Sequence, residues 1–383
     1  MVRAIPILLA LALAPAAQAA SPAVQAHRGG PVLAGVPTYP EDTLPAFRNA
    51  ARNLQTVLEL DVKLTADRVP VVIHDATLDR TTNCTGLVAD RTVAELAQCP
   101  TDVLGSPGNG LGTKPATEPV PIPTLAQVLE FAKGDGIGIN LEIKNYPNDS
   151  DYDPTPAFAN RVMDVVLESG IPASQVIIQS FTPDNLDVAE IRMPDAEFAL
   201  LALAGFEDPV LEFAAARGWD WVSPSWPVDE EYVDAAHGRE LKVVPYTLNE
   251  SADVAEAAKV GVDAVITDDP LMALQTLDTE PAQVELDPLS RRIERVRRKR
   301  TLRVAVSSNE PATVALTVLR KRKVLGQRTV RFDEAGEKKR RIRLSRAVRN
   351  ALAGRDRANI GLVAKTTDLA LNGATARTRA ALR

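Results

Sequence analysis

Short apolar, β-branched runs alternate with helical stretches along residues 24 to 275, and this alternation constrains the fold more than any other feature of the chain. Candidate strands cover residues 24–27, 57–62, 71–74, 137–143, 176–180, 198–203, 219–223, 241–247 and 264–267. Helical stretches separate most of them, for example 44–53, 125–132, 157–168 and 183–191. Regular strand–helix alternation implies a parallel sheet. Over about 250 residues the expected solution is the closed (β/α)8 TIM barrel. The count carries a tension, because there are nine candidate strands for an eight-stranded barrel. The link from Val62 to Val71 is also too short for a crossover helix. Either that unit lacks its helix or one candidate lies outside the barrel.

The chain has 383 residues, enough for one large domain and one small one. Its charge distribution shows where they divide. Residues 291–383 hold 27 basic and 7 acidic residues, a net of +20, so the remainder carries −26 and the whole −6. Such a step marks a domain boundary and two surfaces with different partners. The barrel is expected over 21–275, with a Gly/Pro-rich surface insertion at about 101–123 near its mouth. A polar linker follows at 276–290 (TLDTEPAQVELDPLS). Short alternating runs at 302–306, 314–319, 328–332, 341–344 and 360–364 then predict a small all-β sandwich over 291–383. Its basic excess suits anionic cell-wall polymers or lipid head groups. An aromatic fraction of 4% argues against a base-stacking nucleic-acid platform, and no nucleic acid is expected.

Residues 1–20 read as a signal peptide. Arg3 precedes an apolar stretch at 5–14, and Ala17-Gln18-Ala19 fits the small-x-small cleavage pattern. The chain is therefore expected to be secreted or associated with the cell wall or periplasm. No stretch reaches transmembrane length. In an oxidising compartment the two cysteines, Cys84 and Cys99, should form a disulfide. Closing that loop is worth about 3 kcal/mol in the chain-entropy model.

The chemistry lies at strand ends. Side chains alternate between the faces of a strand. In 57–62, Glu59 and Asp61 share one face, and Leu58, Leu60 and Val62 the other. In 137–144, Asn140, Glu142 and Lys144 oppose Ile139, Leu141 and Ile143. The aliphatic set must face the helices, so the charged set points into the barrel, where charge needs a partner or a metal. These charges sit toward the C-terminal strand ends, where active sites of this fold lie. His27 and His74 end two candidate strands, Gln179 is near the end of another, and Asp268 and Asp269 follow the last. Glu59, Asp61 and Glu142 offer hard oxygen ligands and no thiolate, which favours Mg2+ or Ca2+. Arg28 and Lys144 supply fixed positive charge for a phosphate. His27 and His74 suit a general acid and a general base. Together they read as phosphodiester cleavage.

These residues also carry a family resemblance. His27-Arg28-Gly29-Gly30, Pro40-Glu41-Asp42-Thr43, Glu59-Leu60-Asp61-Val62, His74-Asp75, Leu141-Glu142-Ile143-Lys144, Gln179-Ser180-Phe181 and Ile266-Thr267-Asp268 resemble, in order, the signature of glycerophosphodiester phosphodiesterases. The resemblance implies a (β/α)8 barrel, one divalent cation, and hydrolysis of glycerophosphodiesters to sn-glycerol 3-phosphate and an alcohol. Carried over by position, it makes Glu59, Asp61 and Glu142 the metal ligands, His27 and His74 the acid/base pair, and Arg28 and Lys144 the phosphate holders. Glu41, Gln179 and Tyr246 are supporting residues. Asp42 departs from the Asn usual in the family, and Tyr246 from a Trp. Two other readings share many of these features. A sphingomyelinase D-like or lysophospholipase D-like enzyme uses the same barrel, and an inactive wall-binding barrel would need no buried like charges.

Overall fold

The computed structural model describes residues 21–54, 56–103, 115–278, 280–321 and 323–383. The expected signal peptide lies outside them. Eight parallel strands form the larger unit: β1 Ala23–Ala26, β2 Val57–Leu64, β3 Ile139–Ile143, β4 Val176–Ser180, β5 Glu197–Ala202, β6 Trp221–Pro224, β7 Lys242–Val243 and β8 Ala264–Thr267. Each pairs with its neighbour in chain order, and β1 pairs with both β2 and β8. Backbone bonds from Asp263 to Val243 and from Ile266 to Pro245, each 3.0 Å, join β7 to β8 and close the ring.

Alternation explains the two faces of this wall. Leu58, Leu60, Val62, Ile139, Leu141 and Ile143 point outward and are buried in one core with Leu129, Phe158, Val162 and Val166 of the surrounding helices. Burying each aliphatic side chain is worth about 1.5–3 kcal/mol. The helices begin and end on local signals. Thr124 and Gln127 form a reciprocal capping box at the start of Leu125–Asp135, and Gly136 ends it at φ 68°. The inner face divides differently. β1 to β4 turn Gln25, Glu59, Asp61, Asn140, Glu142 and Gln179 inward, all buried. Opposite them Ala199, Trp221, Val244, Ala264 and Ile266 make a separate apolar cluster inside the ring. One half of the interior is charged and the other is oily.

Of the nine strand candidates, the one at 71–74 lies outside the barrel, one of the two alternatives that the count left open. Residues Pro70–Val72 form a short strand that runs antiparallel to the end of β2, with Val62 opposite Val72. It lies outside the parallel ring because the link 65–69 only reverses the chain: Arg68 donates its N–H to Thr65 and takes φ 60°. The hairpin has a consequence for the site. Ile73 donates to the Asp61 carbonyl at 3.0 Å, so the next residue, His74, is delivered to the mouth of the barrel. The rest of this excursion has its own small core of Val71, Ile73, Leu78, Val88, Leu96 and Cys99. Cys84 and Cys99 are joined in a disulfide across it. Described parts of the expected 101–123 insertion pair as a ribbon, Thr101–Val103 with Pro115–Val120.

The C-terminal unit has seven strands: β9 Val284–Pro288, β10 Thr301–Ser308, β11 Ala312–Arg320, β12 Lys323–Phe332, β13 Gly336–Arg343, β14 Ala358–Asp368 and β15 Gly373–Leu382. They form sheets β9-β10-β13 and β12-β11-β14-β15 around a shared apolar core. The 276–290 linker is corrected in part, because β9 lies within it and pairs with β10. Its charged residues hid the strand: Glu285 and Asp287 alternate with Val284 and Leu286, a pattern a polar average conceals. The last barrel helix, Pro270–Leu277, also runs past the expected boundary at 275.

Candidate active site

Thirteen residues line a cavity of about 160 Å³ at the C-terminal end of the barrel, and His27, Arg28, Glu59, Asp61, His74, Glu142, Lys144, Gln179 and Tyr246 are among them. Nine of the sequence-derived site residues thus meet in one place. Glu41 is the tenth, and it reaches the site through Arg28, whose Nη1 donates to it at 3.0 Å.

Glu59, Asp61 and Glu142 are almost fully buried, and each offers an oxygen within 4.8 Å of the others. Burial and then repulsion from Asp61 push Glu59 up to about 7. Burial pushes Glu142 up to about 8, against the pull of Lys144. Asp61 resists its burial because Lys144, His74 and Arg28 hold it below the usual carboxylate range. Its Oδ2 is buried with no hydrogen-bond partner. Three crowded carboxylates, one with an oxygen that accepts no hydrogen bond and has Arg28 Nε at 3.4 Å, fit a hard divalent cation. Gln179 fixes Glu59 through a 2.8 Å bond and is itself fixed by Asn140 at 3.0 Å.

The histidines flank this cluster. The Nδ1 of His27 lies 2.6 Å from Asp268, and the Nδ1 of His74 lies 2.6 Å from Asp75. In each case the carboxylate leaves Nε2 for other chemistry. Their environments differ. Burial and Arg28 oppose a charge on His27, but Asp268 and Glu59 prevail and raise it above its ordinary value. Burial lowers His74 to about 4, despite Asp61.

Four residues with no role assigned by sequence complete the arrangement. Asp75 and Asp268 orient the imidazoles. Asn249 donates to the second Asp268 oxygen at 2.6 Å. Arg80 holds both Glu41 oxygens, at 2.7 and 2.6 Å, and reaches Asp75 through Nε at 2.6 Å. Asp75 and Asp268 had a sequence signal, since each falls within a matched motif. Arg80 sits in an aperiodic stretch and had none.

Asp42 is buried beside this network, and neither of its carboxylate oxygens has a hydrogen-bond partner. Burial, with Asp61, Glu41 and Glu59 nearby, raises it well above the usual range. Asp42 takes φ 56°, a left-handed conformation that Asp and Asn adopt more readily than other side chains, which accounts for Asp in place of Asn here.

The far wall is aromatic. The Phe181 ring lies 5.6 Å from Tyr146 and 6.0 Å from Tyr246, centroid to centroid. Lys144 Nζ stands 5.9 Å over Phe181. The Tyr246 hydroxyl donates to the Ala202 carbonyl at 2.8 Å, so the ring serves as wall and its hydroxyl as anchor. Trp219 and Trp221 are core, at 3% and 7% exposure. His237 is on the surface, paired with Asp263.

A parallel barrel with paired, carboxylate-held histidines and a three-carboxylate cluster at its mouth defines a phosphoric diester hydrolase of the (β/α)8 class. Residues 27–272 match the Glycerophosphoryl diester phosphodiesterase family. The chain is 32% identical over 253 residues to a glycerophosphodiester phosphodiesterase of Bacillus altitudinis, covering 65% of this chain and 96% of that one. It is 32% identical to the glycerophosphodiester phosphodiesterase of Caldanaerobacter subterraneus, covering 64% and 94%. Among solved structures, an Oleispira antarctica phosphodiesterase in complex with the product sn-glycerol-3-phosphate superimposes with TM-score 0.55 at 25% identity, covering 67% of this chain and 97% of that one. The chain belongs to the glycerophosphodiester phosphodiesterase family.

Proposed function

We propose that this glycerophosphodiester phosphodiesterase is an exported enzyme that depends on Ca2+ or Mg2+ and cleaves by two-histidine acid/base catalysis. The carrying observation is the pair of imidazoles in one cavity, each held at Nδ1 by a carboxylate 2.6 Å away. Glu59, Asp61 and Glu142 would hold the cation, which supplies charge stabilisation at the phosphate. Arg28 and Lys144, both lining the cavity, orient the phosphate oxygens. His74, kept neutral, takes the proton from the attacking hydroxyl. His27, whose pKa Asp268 and Glu59 raise, gives its proton to the leaving alcohol. The test is product analysis: glycerophosphocholine should yield sn-glycerol 3-phosphate and choline. Absence of both products from a metal-supplemented, folded sample overturns the reading.

A second substrate reading rests on Leu203 and Phe206, 45% and 60% exposed in the loop that follows β5 beside Tyr246. These suit an apolar leaving group, as in a lysophospholipid. Lysophosphatidylcholine in the same assay distinguishes the two. Export rests on the residue pattern of 1–20 and on the Cys84–Cys99 disulfide. With it goes a secreted or envelope-associated location, with the basic module directed at anionic wall polymers or lipid head groups. Among the described residues no helix is long and apolar enough to cross a membrane.

A further inference from the structure

The basic excess of the C-terminal unit is not spread evenly. Two clefts lie on this unit and share Arg291. The first, about 540 Å³, is lined by Arg291, Arg292, Arg295, Lys299, Arg303 and Arg341, with no carboxylate in its lining. The second, about 730 Å³, is lined by Arg291, Arg320, Arg357 and Arg383, with no carboxylate side chain among its lining residues.

The fold goes out of its way to build the first cleft. Arg292, Arg295 and Lys299 fall at spacings of three and four around the helix Ile293–Lys299, whose Ile293 and Val296 are locked into the sandwich core. They therefore share one outward stripe. Arg303 of β10 and Arg341 of β13 are direct cross-strand partners. Like charges placed opposite each other on a sheet are destabilising. Among the described residues no carboxylate pairs with these five cations. Arg291 has Asp287 at 3.8 Å, and Glu294 is taken by Arg297, which lies outside the cleft. In the second cleft the Nη1 of Arg320 is buried with no hydrogen-bond partner. A guanidinium nitrogen withdrawn from water and left unsatisfied is costly unless a ligand completes it.

We propose that these two clefts form one continuous groove that binds a linear, base-free chain of closely spaced phosphates through their oxygens. Arginine donors match phosphate oxygens in pairs, and nine cations in two joined concavities suit a chain of regularly spaced anions better than one ion. The shape favours a polymer over a membrane: the cations line concave clefts, and the exposed Val324 and Leu371 are not among their lining residues. No aromatic residue lines either cleft, so nothing stacks on bases and the recognition is of the backbone. The inference deepens the proposed role of the basic module. Its readout is binding, so it fails separately from the catalytic reading.

The experiment measures binding of the full-length protein to labelled linear inorganic polyphosphate at near-physiological salt. Parallel arms use phosphatidylglycerol vesicles, single-stranded DNA and inorganic phosphate. Two triple variants remove the same charge: Arg295→Ser/Lys299→Ser/Arg341→Ser in the groove, and Lys323→Ser/Arg346→Ser/Arg349→Ser outside it. The groove variant should lose affinity for polyphosphate by at least about tenfold and the control by less than about threefold, with a salt dependence that flattens only in the groove variant. Both should turn over glycerophosphocholine like the parent. Equal losses in the two variants, no polyphosphate binding by the parent, or tighter binding to vesicles or DNA than to polyphosphate would each overturn the proposal.

Discussion

His27 and Asp268 are 241 residues apart in the chain and share a 2.6 Å hydrogen bond. The bond forms because β1 and β8 are neighbours in the closed ring, with Ala26 opposite Thr267. Barrel closure thus sets the tautomer and tilt of the imidazole. Asp268→Asn keeps the size of the side chain and removes its charge. It should lower kcat by roughly 10²-fold, the scale of general acid–base catalysis, while KM changes little. Steady-state kinetics on glycerophosphocholine check this. A loss confined to KM would place Asp268 in substrate binding instead.

The pH profile should be bell-shaped with unequal origins. His74 acts as a base only when neutral, and its pKa is lowered to about 4. Activity therefore rises with pH through about 4. His27 acts as an acid only when protonated, and its pKa is raised above 6.5. Activity therefore falls as pH climbs through that raised value. A glycerophosphate ester of p-nitrophenol needs no acid for its leaving group, so His27→Ala should cleave it without the alkaline limb. An unchanged alkaline limb in that variant would assign it to another group.

Strand parity made much of this site legible. Glu59 and Asp61, or Glu142 and Lys144, are two apart on strands whose alternate residues are aliphatic, and only one face of a barrel strand can meet the helices. Parity alone does not place residues 71–74, because a short β-rich run looks alike whether it joins a parallel ring or folds back as a hairpin. What decides between them is the length of the link before it. Arg80 was invisible for a different reason. Its partners Glu41 and Asp75 are 39 and 5 residues away, in loops, where no periodicity relates them.

Arg80 links the two sides of the mouth, so its loss should be felt in both stability and rate. Arg80→Met keeps the aliphatic stem and leaves Glu41, 3% exposed, with only Arg28 as a cationic partner. Removing one member of a buried ion pair costs about 3 kcal/mol or more. Urea unfolding should show that loss. The kcat should fall as well, since Asp75 loses the group that holds it against His74. Unchanged stability would mean that water replaces the guanidinium.

Metal removal should abolish turnover. Burial, and after it the neighbouring carboxylates, push Glu59 and Glu142 up to about 7 and 8, a penalty that a bound cation would offset. Exhaustive chelation followed by titration of Ca2+ or Mg2+ should restore activity. The same ions should raise the melting temperature of the parent and not of Glu59→Gln/Glu142→Gln. Full activity in a verified metal-free sample would contradict the assignment.

On the proposed two-histidine chemistry, the expected route of cleavage follows from what the substrate carries. A glycerol phosphodiester has a hydroxyl on the carbon next to the phosphorylated one. His74, neutral at working pH, can take that hydroxyl's proton while His27 protonates the departing alcohol. The new bond joins the hydroxyl oxygen to phosphorus, the bond to the leaving oxygen breaks, and a cyclic phosphate results. Water then opens the ring with the two histidines in exchanged roles. Attack from within the substrate gains from proximity, which external water must obtain from the protein. Both His27→Ala and His74→Ala should therefore lose at least roughly 10²-fold in rate on glycerophosphocholine. Analogues lacking the neighbouring hydroxyl should be very poor substrates, and 31P spectra taken early in turnover should show a transient cyclic species. If the deoxy analogue is cleaved as fast as the glycerol compound, water attacks phosphorus directly and the ring never forms.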